Sequence, residues 1–338
     1  MQIGSVLFPH GLFLGPMAGY TDYAMRTVCR EMGAEGLVTE MVSAKAVVFG
    51  DRKTIPLARV SAEECPCAVQ LFGHEPEVLA EAARIVAAGV GGGVAPTMID
   101  LNMGCPVHKI VSGGDGSALM RDPALAERIV RAVRDAVKIP VTVKIRLGWD
   151  DARRNAPEVA RAAESGGADA VFVHGRTRTQ FYAGTADYRG IGEVVRAVSL
   201  PVIGNGDVRD AEGGARLLRE SGCAGIMVGR GAVGNPFLFR TLAALLSGQP
   251  LPPPPTAAEK YAVAKRQLTL AAKEKGESVA VLEARKHLGE YLRGIRGGSA
   301  ARAEIFRAES AGEMLRILAA ALSLPPNQDE EPLSHTEI

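Results

Sequence analysis

Residues 102–106 read Asn-Met-Gly-Cys-Pro and set one thiol, Cys105, on a short loop opened by Gly104 and held by Pro106. A free thiol titrates near about 8.5, so close to neutrality Cys105 carries a proton it can donate, and once ionised it can attack. Asn102 stands three residues before it, in the same motif. Most cysteines are inert core residues, and Cys29, Cys65, Cys67 and Cys223, without such surroundings, are read that way. Lys144 and His174 each end a run of apolar residues, where a charge needs a partner if it turns inward. A flavin would supply partners: Lys144 facing the electron-rich edge of the reduced ring, and Gln70 the polar pyrimidine edge. A salt bridge from Lys144 to Glu40 is the plainer alternative. Gly206 and Gly229 let backbone approach an anion closely, and Arg230 adds charge, so Asn205-Gly206-Asp207 and Gly229-Arg230 read as a phosphate seat or as two tight turns.

These residues recur at one kind of place. The first 245 residues repeat a unit eight times: a short apolar run, a polar motif at its end, then a stretch of helical period. The runs are residues 12–16, 36–40, 68–72, 98–102, 141–146, 170–174, 201–204 and 225–229. Several are continuously apolar, as strands buried on both faces must be. In residues 123–137 Leu125, Ile129, Val130 and Val133 fall three and four apart and form one buried stripe. Eight such units predict an α/β fold, a (β/α)8 TIM barrel, with its chemistry at the C-terminal ends of the strands. A doubly wound open sheet would place Gly-x-Gly-x-x-Gly at its first turn, where this chain has Pro16-Met17-Ala18-Gly19.

Residues 1–245 are therefore expected to form the barrel and residues 246–255, ending in four prolines, a linker. Residues 256–324 are expected to form a small all-helical domain with helices at 257–275, 279–293 and 299–322, and residues 325–338 a disordered acidic tail. Residues 256–317 carry twelve Lys or Arg against eight Asp or Glu, although the net charge of the chain is only +1. Five cysteines, with Cys65 and Cys67 one residue apart, suit neither a disulfide framework nor a zinc site, so no metal is expected. No apolar run of about 20 residues suggests a membrane span, and the cytoplasm is the expected compartment.

Taken together the motifs resemble the tRNA-dihydrouridine synthase family, in its bacterial DusB-like branch. The matching stretches are GPMAGYTD (15–22), TEMVSA (39–44), VQLFG (69–73), DLNMGCP (100–106), VKIRLGW (143–149), HGRTRTQFYAGTADY (174–188), VIGNGDV (202–208), MVGRGAVGNPFLF (227–239) and EARKHLGEYLRGIRG (283–297). The resemblance implies reduction of the C5=C6 bond of uridines in tRNA, in the D-loop region, by FMN that NADPH or NADH has reduced. It implies FMN contacts at Pro16, Met17, Ala18, Gln70, Lys144, His174, Asn205, Gly206, Asp207, Gly229 and Arg230. It makes Cys105 the general acid to C5, with Asn102, Lys144 and His174 in catalytic support. RNA contacts are expected from Arg176, Arg178, Arg285, Lys286, Arg293 and Arg296, on a monomeric protein. A small-molecule flavin barrel and a non-catalytic RNA-binding barrel are the other classes. The first would reduce a free pyrimidine as well as tRNA, and the second would purify colourless.

Overall fold

The protein, seen in a computed structural model, is described over residues 1–325. The expected acidic tail lies outside the described residues apart from Pro325. Eight parallel strands close into a barrel: β1 (Leu12–Leu14), β2 (Gly36–Ser43), β3 (Cys67–Phe72), β4 (Met98–Met103), β5 (Val141–Arg146), β6 (Ala170–His174), β7 (Val202–Asn205) and β8 (Gly225–Val228). Each neighbours the next in chain order, and β8 pairs with β1. Helices such as Pro123–Ala136 and Ala156–Ser165 pack their apolar stripes on the outside, so alternate strand residues face helices and barrel interior.

The interior is layered. At the base Phe13, Val38, Ala68, Met98, Ala170, Phe172, Ile203 and Met227 form one apolar cluster. A hairpin that the sequence reading missed, Gln2–Ile3 paired with Val6–Leu7, adds Ile3 and Phe8 to it and closes that end. Its strands are two residues each, too short to show a period of two. One register step above the cluster, Gln70 pairs with Asp100, and Asp100 with Thr142, as a buried polar layer. Asn102 pairs with Lys144 above that, and Arg146, His174 and Asn205 align at the rim. Polarity thus rises toward the C-terminal ends of the strands, and the open end of the barrel is the polar one.

Four helices follow: α2 (Ala257–Lys275), α3 (Glu277–Tyr291), α4 (Gly298–Ile305) and α5 (Ala311–Ala321); α2 packs on α1 (Tyr23–Glu31) of the barrel, and the other three pack on α2 and on one another. Thr256 and Glu259 form a capping box that starts α2 just after the prolines. Gly276, with φ of +80°, ends it. The single helix expected over 299–322 is two, because Ser310 caps α5 by accepting from the Glu313 amide at 3.2 Å. Ala24 and Val28 of α1 share a core with Leu268, Leu288, Tyr291 and Met314. Lys275 ties the two parts further, reaching Asp22 at 2.7 Å and Glu283 at 2.6 Å.

Candidate active site

The open end of the barrel holds a cavity of about 790 Å³ whose wall includes Met17, Gln70, Asn102, Cys105, Lys144 and His174. Lys286 of α3, Arg293 in the turn that follows it and Arg302 of α4 reach its edge. Its floor is a chain of hydrogen bonds with one direction. The Thr142 hydroxyl donates to Asp100 Oδ1 at 2.6 Å, and Gln70 Nε2 donates to Asp100 Oδ2 at 2.7 Å. Asn102 Nδ2 then donates to Gln70 Oε1 at 2.8 Å. That leaves Asn102 Oδ1 to accept from the amides of Gly104 at 3.1 Å and Cys105 at 2.9 Å. Burial raises the Asp100 pKa to about 6, against the opposing hydrogen bonds from Thr142 and Gln70. Near neutrality Asp100 is therefore an ionised acceptor, and it fixes the orientation of both amides beyond it.

Arg146 holds the Cys105 loop from the other side. It is 2% exposed, donates through Nε to Gly104 O at 2.8 Å, and donates through Nη1 to Thr177 O and Phe181 O. Burial pushes its pKa down to about 10. The sequence reading named Arg146 only as a strand end. Its signal was period two, since Thr142, Lys144 and Arg146 share the inward face of β5.

Burial raises the Cys105 thiol above its ordinary value, opposed by a hydrogen bond from the Val107 backbone and by the positive charges of Arg146 and Lys144. The thiol keeps its proton at neutral pH, as an acid must. Lys144 is driven down to about 8, first by burial and then by repulsion from Arg146. Its Nζ lies 3.3 Å from Asn205 Oδ1, and among the described residues no carboxylate oxygen lies within 4 Å of it. Glu40 instead accepts from the Gly19 amide at 2.5 Å, so the Lys144–Glu40 ion pair does not form. His174 is held neutral, its pKa lowered well below normal by burial and by Arg146, Lys144, Arg176 and Arg230. Arg176 Nη1 lies 3.3 Å from His174 Nε2 and can only donate, which places the ring proton on Nδ1.

The loops after β7 and β8 are built for close backbone approach. Gly206 has φ of +137°, and a Cβ there would meet the Ala186 Cβ at 2.6 Å. Gly229 has open space, a Cβ there meeting only Met17 Sδ at 3.7 Å. Asn205 donates to Met227 O at 2.8 Å. The backbone amides of Val208 and Arg209 donate to no group among the described residues. Pro16, Met17 and Ala18 line the same cavity, as do Asp207 and Arg230.

Residues 13–324 match the dihydrouridine synthase (Dus) family. The chain belongs to that family. It is 41% identical over 296 residues to a protein of Rickettsia conorii named a probable tRNA-dihydrouridine synthase, covering 87% of this chain and 88% of that one. It is 41% identical over 318 residues to a protein of Xanthomonas axonopodis pv. citri named tRNA-dihydrouridine synthase B, covering 94% of each chain. Histamine dehydrogenase from Rhizobium sp. 4-9 shares the fold at a TM-score of 0.55 and 14% identity, covering 80% of this chain and half, 50%, of that one.

The basic residues expected at RNA separate into groups. Lys286 lines the cavity with its ammonium 5.1 Å from the Tyr20 ring centre, and the exposed Arg293 lines it too. Arg178 is half-buried against Trp149. Arg285 donates to Ala308 O at 2.9 Å and does not line the cavity, and Arg296 is exposed away from its wall. Arg176 requires a correction. It is 1% exposed, and its guanidinium donates to Asp207 Oδ2 at 2.7 Å, Ala183 O at 2.9 Å and Gly184 O at 2.6 Å. It braces the loop after β6 and presents nothing to an RNA phosphate. Among the described residues no group of three or more His, Cys, Asp or Glu could hold a metal, and no helix is long and apolar enough to cross a membrane.

Proposed function

We propose that this protein is a tRNA-dihydrouridine synthase of the DusB-like branch, reducing the C5=C6 bond of uridines in tRNA with FMN and NADPH or NADH. The observation that carries the reading is a protonated thiol, Cys105, held on the wall of a polar barrel mouth in a chain of this family. The residues present fit FMN. Lys144 is a cation without a carboxylate, suited to the electron-rich edge of a reduced ring, and the free amides of Val208 and Arg209, with Arg230, suit a phosphate. FMN held there would supply hydride chemistry toward uracil C6, with NADPH or NADH as the source of electrons.

The chain's own residues do the rest. Cys105 gives its S–H proton to C5, and the thiolate that remains regains a proton from water. Asn102 and Arg146 set the thiol's position by holding both sides of the Gly104–Cys105 peptide. Lys144 offsets negative charge beside the reacting uracil, and neutral His174 offers its Nδ1–H as a donor. The target base must leave its stack to reach the cavity, and Lys286 and Arg293, on α3 and the turn after it, meet the RNA backbone around it.

Mapping of dihydrouridine in tRNA from cells with and without this gene tests the proposal. Loss of dihydrouridine at defined positions, with a flavin spectrum for the purified protein, is the expected result. Unchanged tRNA, or a colourless protein that consumes no NADPH, refutes it.

A further inference from the structure

The charged surface left over by this reading lies across the mouth. The guanidinium carbon of Arg178 lies 4.3 Å from the Trp149 ring centre, and that of Arg121 lies 5.0 Å from the same centre. Cation–π attraction holds a guanidinium against the indole without using up its N–H donors. Among the described residues neither guanidinium donates a hydrogen bond to a protein group, and neither has a carboxylate oxygen within 4 Å. Arg153, exposed beside them, donates one N–H to Arg121 O at 2.8 Å.

The carboxylates around this stack are otherwise engaged. Asp122 caps the helix Pro123–Ala136 by accepting from the Leu125 amide at 3.0 Å, and Asp150 accepts from the Arg153 amide at 2.8 Å. Asp187 accepts from Arg154 at 2.5 Å and from the Gly190 amide at 3.0 Å. Asp151 is exposed and forms no ion pair with Arg121, Arg153 or Arg178. Water solvates these guanidiniums, and with no internal ion pair to break they are open to an external anion.

Position identifies the anion. Arg121 follows β4, Trp149 follows β5 and Arg178 follows β6. In the closed strand order, β5 and β6 stand opposite β1 and β2, the side on which α1 seats the terminal helices. We infer that the Arg121–Trp149–Arg178 stack, with Arg153, is a second phosphate-binding rim for RNA. Together with Lys286 and Arg293 on the opposite rim, it grips the RNA backbone on both sides of the nucleotide entering the cavity. This inference rests on the proposed tRNA substrate and extends it to a second surface.

Trp149 is the sole tryptophan of the chain, so its emission reports this rim directly. Titrating the flavin-loaded protein with unmodified tRNA should change that emission with the same Kd as binding measured by filter retention. The double variant Arg121→Ala/Arg178→Ala should bind tRNA about tenfold more weakly, with the slope of log K against log salt reduced by about 1.5–2, as for two lost phosphate contacts. KM for tRNA should rise while kcat and flavin reduction by NADPH hold, and Arg121→Lys/Arg178→Lys should restore most of the slope. Unaltered Kd and salt slope in the alanine variant, with Trp149 emission indifferent to saturating tRNA, would overturn the inference while leaving dihydrouridine formation intact. Absence of dihydrouridine formation by the parent protein would instead overturn the function proposed above.

Discussion

Replacing Asn102 by Asp keeps the size of the side chain and removes the Nδ2 donor group, which serves Gln70 Oε1 and, more weakly, Met41 Sδ. The aspartate can still accept from the Gly104 and Cys105 amides, but its second oxygen then faces Gln70 Oε1, the partner of Asn102 Nδ2 at 2.8 Å. Gln70 cannot relieve this by turning over, because its Nε2 donates to the Asp100 carboxylate at 2.7 Å, and the turn would set oxygen against oxygen there. One buried acceptor is left unpaired, at a cost of about 1–3 kcal/mol. If that cost falls on the placement of Cys105, uridine reduction slows by about 5- to 150-fold, at 1.36 kcal/mol per decade.

Stopped-flow absorbance of the flavin separates the two half-reactions. Reduction by NADPH without RNA should stay within about twofold of the parent, and reoxidation by unmodified tRNA under anaerobic conditions should carry the loss. Asp100→Asn is the paired control. Its oxygen can accept from Gln70 and its nitrogen can donate to Thr142, so donor order along the chain survives and the rate should stay within about threefold. Parental reoxidation in Asn102→Asp, or equal slowing of both half-reactions, would refute the relay from Asp100 to the thiol.

Three further outcomes are expected. Cys105→Ala should lower uridine reduction by about 10²- to 10⁴-fold at unchanged flavin reduction, and it should remove the high-pH limb of the parent's profile. That limb arises because the acid form is lost as pH rises through a thiol pKa that burial has raised above its ordinary value. Lys144, at about 8, is charged below that pH and neutral above it, so FMN rebinding to flavin-free protein should weaken above about pH 8. Lys144→Met should bind weakly with no such dependence, as fluorescence titration of FMN would show. Arg176→Met leaves Asp207 without its buried partner and should cost about 3 kcal/mol, read as a lower Tm, while tRNA affinity per folded molecule stays parental.

How far the sequence carried depended on whether a feature was local. All eight barrel strands could be read, because each is a short apolar run closed by a polar motif, and that repeat is visible without knowing what pairs with what. The start of α5 was equally local, in Ser310-Ala-Gly-Glu313, but the apolar period running through it concealed the cap. Arg176 shows the opposite case. Its motif is dense in arginine, and only the fold decides which guanidinium turns inward to Asp207, thirty-one residues on, and which stacks outward on Trp149.

The polar relay lies furthest from local reading. Thr142, Asp100, Gln70 and Asn102 belong to three strands and meet only through barrel register. Asp100 opens the DLNMGCP stretch as a carboxylate in an apolar run, but nothing in the sequence names its partners or marks it as the group that orients a thiol five residues later. Its influence comes from low exposure and the absence of any competing donor arrangement, and both are properties of the closed barrel. A motif of this kind therefore names the reacting atom, whereas the residues that aim it are found by following hydrogen bonds from that atom inward.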